Sequence, residues 1–208
     1  MNELLFDPPT TPEQWCELQP CFEIGGLTFT QLLGSFLVYL LAVLWIAGGV
    51  YFWRIRDSQR SREWMALALA LGGFGSGLAG TSYPLLGFEL KCAGRDHCIW
   101  TNWFEVAYMM LQATSSSAML IAVAYACTTG ALRFWLVIYA IGNTVVYLAL
   151  ASYGALTGVR FLISFELLMV FAAPGLLLIL VIAAGRWLRD QDGMALAMIG
   201  AGIWLILT

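Results

Sequence analysis

The sequence predicts an all-α protein, a polytopic transmembrane helical bundle with its N-terminus outside. Three observations support this fold class. The chain is 61% hydrophobic and 11% charged, its apolar residues form long blocks, and its basic residues concentrate in alternate connections. A soluble domain carries roughly 25% charged residues, so the main solvent of this chain is expected to be lipid. Because lipid offers no partner to a free backbone group, each block of about 20 apolar residues is predicted to be a helix.

Six blocks are predicted to be spans, at residues 30–53, 64–86, 100–128, 132–153, 161–184 and 193–208. The last block covers about 24 Å at 1.5 Å per residue and has no polar flank, which is short for a span. We therefore expect the chain to continue beyond Thr208, with a possible seventh helix. A short final helix that tilts little is the alternative.

The basic residues predict the orientation, because cytoplasmic loops are enriched in Lys and Arg. With the N-terminus outside, three basic residues fall on the outer side, Lys91, Arg95 and Arg160. Seven fall on the inner side: Arg54, Arg56, Arg60, Arg62, Arg133, Arg186 and Arg189. Residues 1–29 are thus predicted to be an extracytoplasmic tail and 30–208 the bundle, in a plasma membrane or a bacterial inner membrane.

Four of the five cysteines fall on the predicted outer side, Cys16 and Cys21 in the tail and Cys92 and Cys98 in the loop 87–99. Disulfides persist in oxidising compartments, so two bridges are expected. Three pairings are possible. The local pairs 16–21 and 92–98 are the simplest, whereas cross-pairs would join the tail to the loop. Reduced thiols or a metal site are the alternatives.

Several cofactor sites are excluded by residue counts. The single histidine, His97, cannot provide a bis-histidine haem or a three-histidine zinc site, and the single lysine, Lys91, lies in a loop rather than in a span, as a retinal Schiff base requires. No P-loop, dinucleotide fingerprint or HExxH motif is present. We therefore predict no metal, no cofactor and, since no large basic cluster exists, no nucleic-acid partner.

The second span is rich in glycine. Gly73 and Gly77 are four residues apart, as are Ser76 and Gly80. Such spacing allows helices to approach closely in lipid. Packing inside the bundle is the simpler interpretation, and the same face would suit a homo- or hetero-oligomer or leave room for a ligand.

The third span contains a polar stripe, Glu105, Tyr108, Gln112 and Ser116, spaced by 3, 4 and 4 residues. This spacing places the four side chains on one helix face. Polar groups inside a span are costly, so each is a functional candidate. Glu105 is ambiguous, because Asn102-x-x-Glu105 also has capping-box spacing.

Two further candidates lie in the next spans. Asn143 is expected near mid-membrane, where facing Gln112 would satisfy it. Glu166 is expected about two turns in from the outer end of the fifth span. If Glu105 and Glu166 converge, they could hold a cation or act as an acid and base. These residues predict a polar pocket among the third to fifth spans. They favour a protein that binds a lipid or small molecule or serves as a subunit of a membrane complex, with a small transporter or channel as an alternative.

A second alternative is an enzyme. Ser76 and Ser82 in the second span precede the acids Glu89, Asp96 and Glu105. This topology resembles that of the seven-helix membrane hydrolases that include alkaline ceramidases. The resemblance implies hydrolysis of a lipid by a Ser/His/Asp cluster around helices two and three, with a histidine pair in the last helix. The resemblance is one of topology alone, since Gly80-Thr81-Ser82-Tyr83 contains no histidine and the last helix of that family has no counterpart in this chain.

Overall fold

The computed structural model describes residues 4–190, and these residues are mostly helical. Within that range five helices are long and apolar enough to cross a membrane. They are α2 (Leu32–Arg54), α3 (Arg60–Gly80), α5 (Trp103–Cys127), α6 (Gly130–Thr157) and α7 (Phe165–Asp190). The mostly helical fold and five of the predicted long apolar helices are therefore confirmed. The sixth predicted span, 193–208, lies outside the described residues.

Three predicted boundaries are wrong. Helix α6 begins at Gly130 and continues past Tyr153 to Thr157, because Gly154 is a buried helical residue and the left-handed cap is Gly158, with φ +77°. A short 3₁₀ turn, Arg160–Ile163, precedes α7, which begins only at Phe165. The charged segment after Arg186 is helical as far as Asp190 rather than a loop.

Helix α3 ends in a π-helical turn, Thr81–Leu85, followed by the short helix α4, Gly87–Lys91. Pro84 lacks an N–H donor, and the turn closes through Leu86 N–H and the Thr81 carbonyl at 2.9 Å. The Pro84 carbonyl accepts the Thr30 hydroxyl at 2.6 Å. The predicted outer loop at 87–99 thus starts with one helical turn held under the N-terminal tail.

Helix α5 is the centre of the bundle. It packs against α3, α6 and α7, while α2 packs on α3. In the most apolar 18-residue window of each helix, 56% of residues are buried in α5 and only 17% in α2. The Ser115 hydroxyl donates to the Ala68 carbonyl at 2.7 Å and so connects α5 to α3. Helix α2 leaves most of its apolar surface to lipid.

The glycines of α3 do permit close helix packing. A Cβ on Gly73 would lie 2.9 Å from the Ala42 carbonyl oxygen, and one on Gly72 would lie 2.1 Å from the Trp45 ring. Helices α2 and α3 could not approach each other so closely if larger residues occupied these two positions. Gly77, by contrast, has nothing within 4 Å of an added Cβ, so it is not part of this packing.

The tail forms a small cap at one end of the bundle. It contains α1 (Pro12–Leu18) and a hairpin of β1 (Phe22–Ile24) and β2 (Leu27–Phe29), whose two-residue turn uses Gly25 and Gly26 at positive φ. Disulfide bonds join Cys16 to Cys21 and Cys92 to Cys98. The local pairs are thus formed and the cross-pairs are not.

Backbone hydrogen bonds, not disulfides, connect the tail to the bundle. Cys98 N–H donates to the Thr10 carbonyl at 2.8 Å, and Trp100 N–H donates to the Leu4 carbonyl at 2.6 Å. Because these bonds join the first residues of the tail to the segment that precedes α5, the tail lies directly over the C-terminal end of α3 and the N-terminal end of α5.

Candidate functional site

A buried ion pair lies where α4 meets the first turn of α5. The Lys91 ammonium is 2.6 Å from Glu105 Oε1, and the two side chains are 5% and 3% exposed. Lys91 Nζ also donates to the Trp100 carbonyl at 2.9 Å. A pair shielded in this way is expensive to desolvate and adds little net stability, so its presence suggests a function beyond holding the fold together.

Two neutral side chains complete the cluster. The Ser82 hydroxyl donates to Glu105 Oε1 at 3.1 Å, and Asn102 Nδ2 donates to Ser82 Oγ at 2.7 Å. Asn102 also caps α5, since its Oδ1 accepts the Glu105 N–H at 3.2 Å. Glu105 is therefore both a capped residue and a cluster residue, and its carboxylate bonds Lys91 and Ser82. Linked bonds of this kind fix the side chains in one arrangement.

Aromatic rings surround the ammonium group. The Lys91 nitrogen lies 5.7, 5.8 and 5.3 Å from the ring centroids of Phe6, Trp15 and Tyr83. These distances lie within the range of cation–π attraction. Two of the three rings come from the tail, so the cap supplies part of the environment of the ion pair.

The cluster forms the wall of a cleft with two lobes. The α5–α7 lobe, about 520 Å³, lies between the tail and the N-terminal ends of α5 and α7. The α2 lobe, about 390 Å³, lies between the tail, the start of α2 and the π-helical turn. Four residues line both lobes: Trp15, Gln19, Tyr83 and Lys91. The ammonium group therefore lies between the two lobes.

Two polar atoms next to this cleft have no hydrogen-bond partner among the described residues. They are Trp15 Nε1 and Thr101 Oγ1, both buried, and both residues line the α5–α7 lobe. A buried polar group left without a partner costs roughly 1–3 kcal/mol. Nearly all such groups in folded proteins are satisfied, so two in one wall mark this lobe as unusual.

The structure brings together two of the predicted site residues, Glu105 and Glu166, which both line the α5–α7 lobe. The predicted depth of Glu166 is wrong, because it lies in the first turn of α7 and is exposed. The fifth span is predicted to start at Phe161, which is earlier than the observed start of α7, and Glu166 is therefore predicted too deep in the helix. The intervening 3₁₀ turn moves the helix start to Phe165.

The other residues of the predicted stripe have separate environments. The Tyr108 ring packs edge-on against Tyr83 with 6.3 Å between centroids. Ser116 donates to the Ala113 carbonyl of its own helix at 2.9 Å, and Gln112 is half-buried in α5. These side chains share one face of α5, but only Glu105 lines the cleft.

Asn143 joins two helices. Its Nδ2 donates to the Phe171 carbonyl at 3.0 Å and so connects α6 to α7. The side-chain amide of Asn143 therefore donates to a backbone oxygen, whereas the predicted partner was the side chain of Gln112. This bond gives Asn143 a structural explanation.

Sequence reasoning missed Lys91, Trp15 and Thr101 as parts of the site. Lys91 is predicted only to lie in a polar loop, and no periodicity marks the other two. The one available signal was that Lys91 is the single lysine of the chain and directly precedes a disulfide cysteine. Among residues 4–190 no group of three or more His, Cys, Asp or Glu side chains is arranged to hold a metal ion.

Comparison with known proteins matches the chain to no family model, no curated protein and no solved structure. The functional argument therefore depends on the geometry of the cleft.

Proposed function

We propose that this integral membrane protein binds a lipid or a lipid-like amphipathic molecule in the two-lobed cleft. The observation that carries the proposal is the position of Lys91. Its ammonium has three N–H donors, and the described residues supply two oxygen partners, Glu105 Oε1 and the Trp100 carbonyl. The third donor is available to an oxygen atom of a ligand in either lobe.

The chemistry of the walls selects the class of ligand. Glu105 neutralises the charge of Lys91, so a neutral or zwitterionic group with an exposed oxygen fits better than a bare anion. The indole N–H of Trp15 and the hydroxyl of Thr101 could donate to the same group after a small shift of the wall. The remaining lining, which includes Phe6, Met109 and Ile163, is apolar and suits a hydrocarbon body.

We propose further that the disulfide-containing end faces the extracytoplasmic side of a plasma membrane or a bacterial inner membrane. Both disulfides and the whole tail lie at the end where the cleft opens. The opposite end carries most of the arginines: Arg60 lies against Tyr125 at the end of α5, and Arg133 donates to the Thr128 carbonyl. An arginine-rich cytoplasmic end and an oxidised outer end agree with the positive-inside rule and with disulfide stability.

The two alternatives have less support from the geometry. Ser82 is fully buried, and its hydroxyl already bonds Asn102 and Glu105, so attack on a lipid ester or amide would require this network to open. The hydrolase interpretation stays a prediction, as does the transporter interpretation. Membership of a larger complex is likewise a prediction, for which the open face at Gly77 is the available surface.

The test removes one donor at a time from the cleft wall, keeping the side-chain shape at Thr101 and reducing the ring at Trp15. Thr101→Val replaces the hydroxyl with a methyl group, and Trp15→Phe removes the indole N–H. We expect each to weaken binding of a zwitterionic phospholipid by about two- to tenfold, the value of one hydrogen bond of 0.5–1.5 kcal/mol. Native mass spectrometry of the detergent-solubilised protein, titrated with a phosphatidylethanolamine, measures the bound fraction.

Ser116→Ala is the matched control, because its hydroxyl bonds within α5 and does not line the cleft. Binding should be unchanged in this variant. Equal binding by the wild type, Thr101→Val and Trp15→Phe would refute the proposed site.

A further inference from the structure

The β1–β2 hairpin has one apolar face and one polar face. Phe22 pairs with Phe29 and Ile24 with Leu27, while Glu23 pairs with Thr28. Cross-strand partners point to the same side of a sheet, so the four apolar side chains share one face. Phe22, Ile24 and Leu27 are 50%, 59% and 47% exposed. These three side chains are open on this face, whereas Phe29 is partly covered.

The hairpin is held in place by its connection to the bundle. Thr28 N–H donates to Glu89 Oε1 of α4 at 2.6 Å, and the hydroxyl of Thr30 donates to the Pro84 carbonyl. These bonds attach the β2 edge and the strand exit to the outer end of α3 and α4. The apolar face therefore has a fixed position relative to the candidate spans.

The chain runs from this hairpin almost directly into the exposed apolar surface of α2. Phe29 is followed after two residues by Leu32, the first residue of α2, and Leu33 and Phe36 in its first turns are more than half exposed. Large exposed apolar patches mark contacts with membranes or partners. Here the neighbouring surface belongs to a candidate span, which favours lipid as the occupant of the hairpin face as well.

Charge indicates what kind of lipid contact this is. Residues 1–53 contain no Lys or Arg, and the hairpin itself carries Glu23. Attraction of basic residues to anionic headgroups, worth about 1 kcal/mol per residue, is therefore not available to this segment. The contact must come from burial of apolar side chains in the acyl region, which does not depend on headgroup charge.

We infer that the β1–β2 hairpin is a lipid-contacting element, whose apolar face inserts at the boundary between headgroups and acyl chains beside the start of α2. The partner is a lipid surface, and the charge of its headgroups does not contribute to the contact. This element acts independently of the ligand cleft, so either proposal can fail alone.

Photocrosslinking in neutral phosphatidylcholine nanodiscs tests the inference. p-Benzoylphenylalanine is placed singly at Ile24, at Leu27, at Glu23 on the opposite face, and at Phe36 of α2 as the positive control. We expect lipid adducts, detected as an increase in the intact mass of the protein, at positions 24, 27 and 36, and no adduct at position 23. Added anionic lipid or high salt should not change the yields.

Other outcomes would overturn the inference. Adducts at Phe36 without adducts at Ile24 and Leu27 would show that the hairpin face lies in water. Crosslinks between two protein chains at these positions would assign the face to a second copy instead. Equal adduct yields at Glu23 and Ile24 would refute the claim that only the apolar face contacts lipid. Adducts that form only with anionic lipid would refute the claim that the contact does not depend on headgroup charge. Size-exclusion elution of each variant confirms that it is folded.

Discussion

Removing one partner of the Lys91–Glu105 pair should destabilise the protein strongly. In Lys91→Met the Glu105 carboxylate keeps only the Ser82 hydroxyl, and in Glu105→Gln the ammonium keeps the Trp100 carbonyl and a neutral amide. The side chains are 5% and 3% exposed, so water cannot replace the lost charge. Breaking a buried pair from one side costs about 3–5 kcal/mol, and we expect a loss of this size in the free energy of unfolding.

The double variant Lys91→Met/Glu105→Gln separates the cost of an uncompensated charge from the value of the pair. With both charges absent, its destabilisation should be smaller than the sum of the two single losses, by a coupling energy of about 0.5–3 kcal/mol. Reversible unfolding in mixed detergent micelles, followed by circular dichroism, measures all three variants.

An exposed pair provides the matched control. Arg160 and Asp7 are 3.8 Å apart, with side chains 44% and 82% exposed. Pairs of this kind contribute at most about 1 kcal/mol, so Asp7→Asn should unfold nearly as the wild type does. Our interpretation of the Lys91–Glu105 pair would be wrong if Lys91→Met cost no more than Asp7→Asn, or if the two single losses simply added in the double variant.

Two further predictions concern helix packing. Gly72→Ala should lower the free energy of unfolding by about 1–3 kcal/mol, because its Cβ would overlap the Trp45 ring. Gly77→Ala has open space around its Cβ and should leave that free energy unchanged or raise it. The same unfolding assay compares the two variants, and equal losses of unfolding free energy would contradict the role of Gly72 in packing. Asn143→Leu should cost about 0.5–1.5 kcal/mol through loss of the α6–α7 bond. Thr144→Val removes a bond within α6 alone and should cost less, so the reverse order of unfolding free energies would disprove the role of Asn143.

The spans could be predicted because the length of an apolar block is a local property of the sequence. The end of α6 could not, and the reason is visible in its two glycines. The connection predicted at 154–160 contains both glycines, yet an added Cβ on Gly154 would lie 2.5 Å from Leu162 Cβ, so this glycine permits close packing of α6 against the 3₁₀ turn that precedes α7. Only Gly158 has the left-handed backbone that ends it. A sequence does not distinguish a packing glycine from a capping glycine.

The candidate site was predictable only where its geometry is local. The spacing of Asn102 and Glu105 predicted the cap, which forms. The burial of Lys91 depends on rings from the tail and on a carbonyl and carboxylate that follow the disulfide loop. Those groups meet only when the tail folds over the outer ends of α3 and α5, which no short-range pattern in the sequence encodes.

The distribution of charge along the spans bears on the choice between recognition and transport. Glu105 and Glu166 lie in the first turns of α5 and α7, at the same end of the bundle as the cleft. At the opposite end, the arginines of the described spans lie within a few residues of the helix termini. Between these two levels, residues 4–190 place no Asp, Glu, Lys or Arg at mid-membrane. An unpaired charge at that depth costs several kcal/mol, and a charged substrate would cross this region without a counter-charge from the described residues. The charged side chains of residues 4–190 lie instead at the two ends of the bundle, with the cleft at one of them, and this arrangement supports the proposed binding at the cleft end more than it supports transport of a charged substrate.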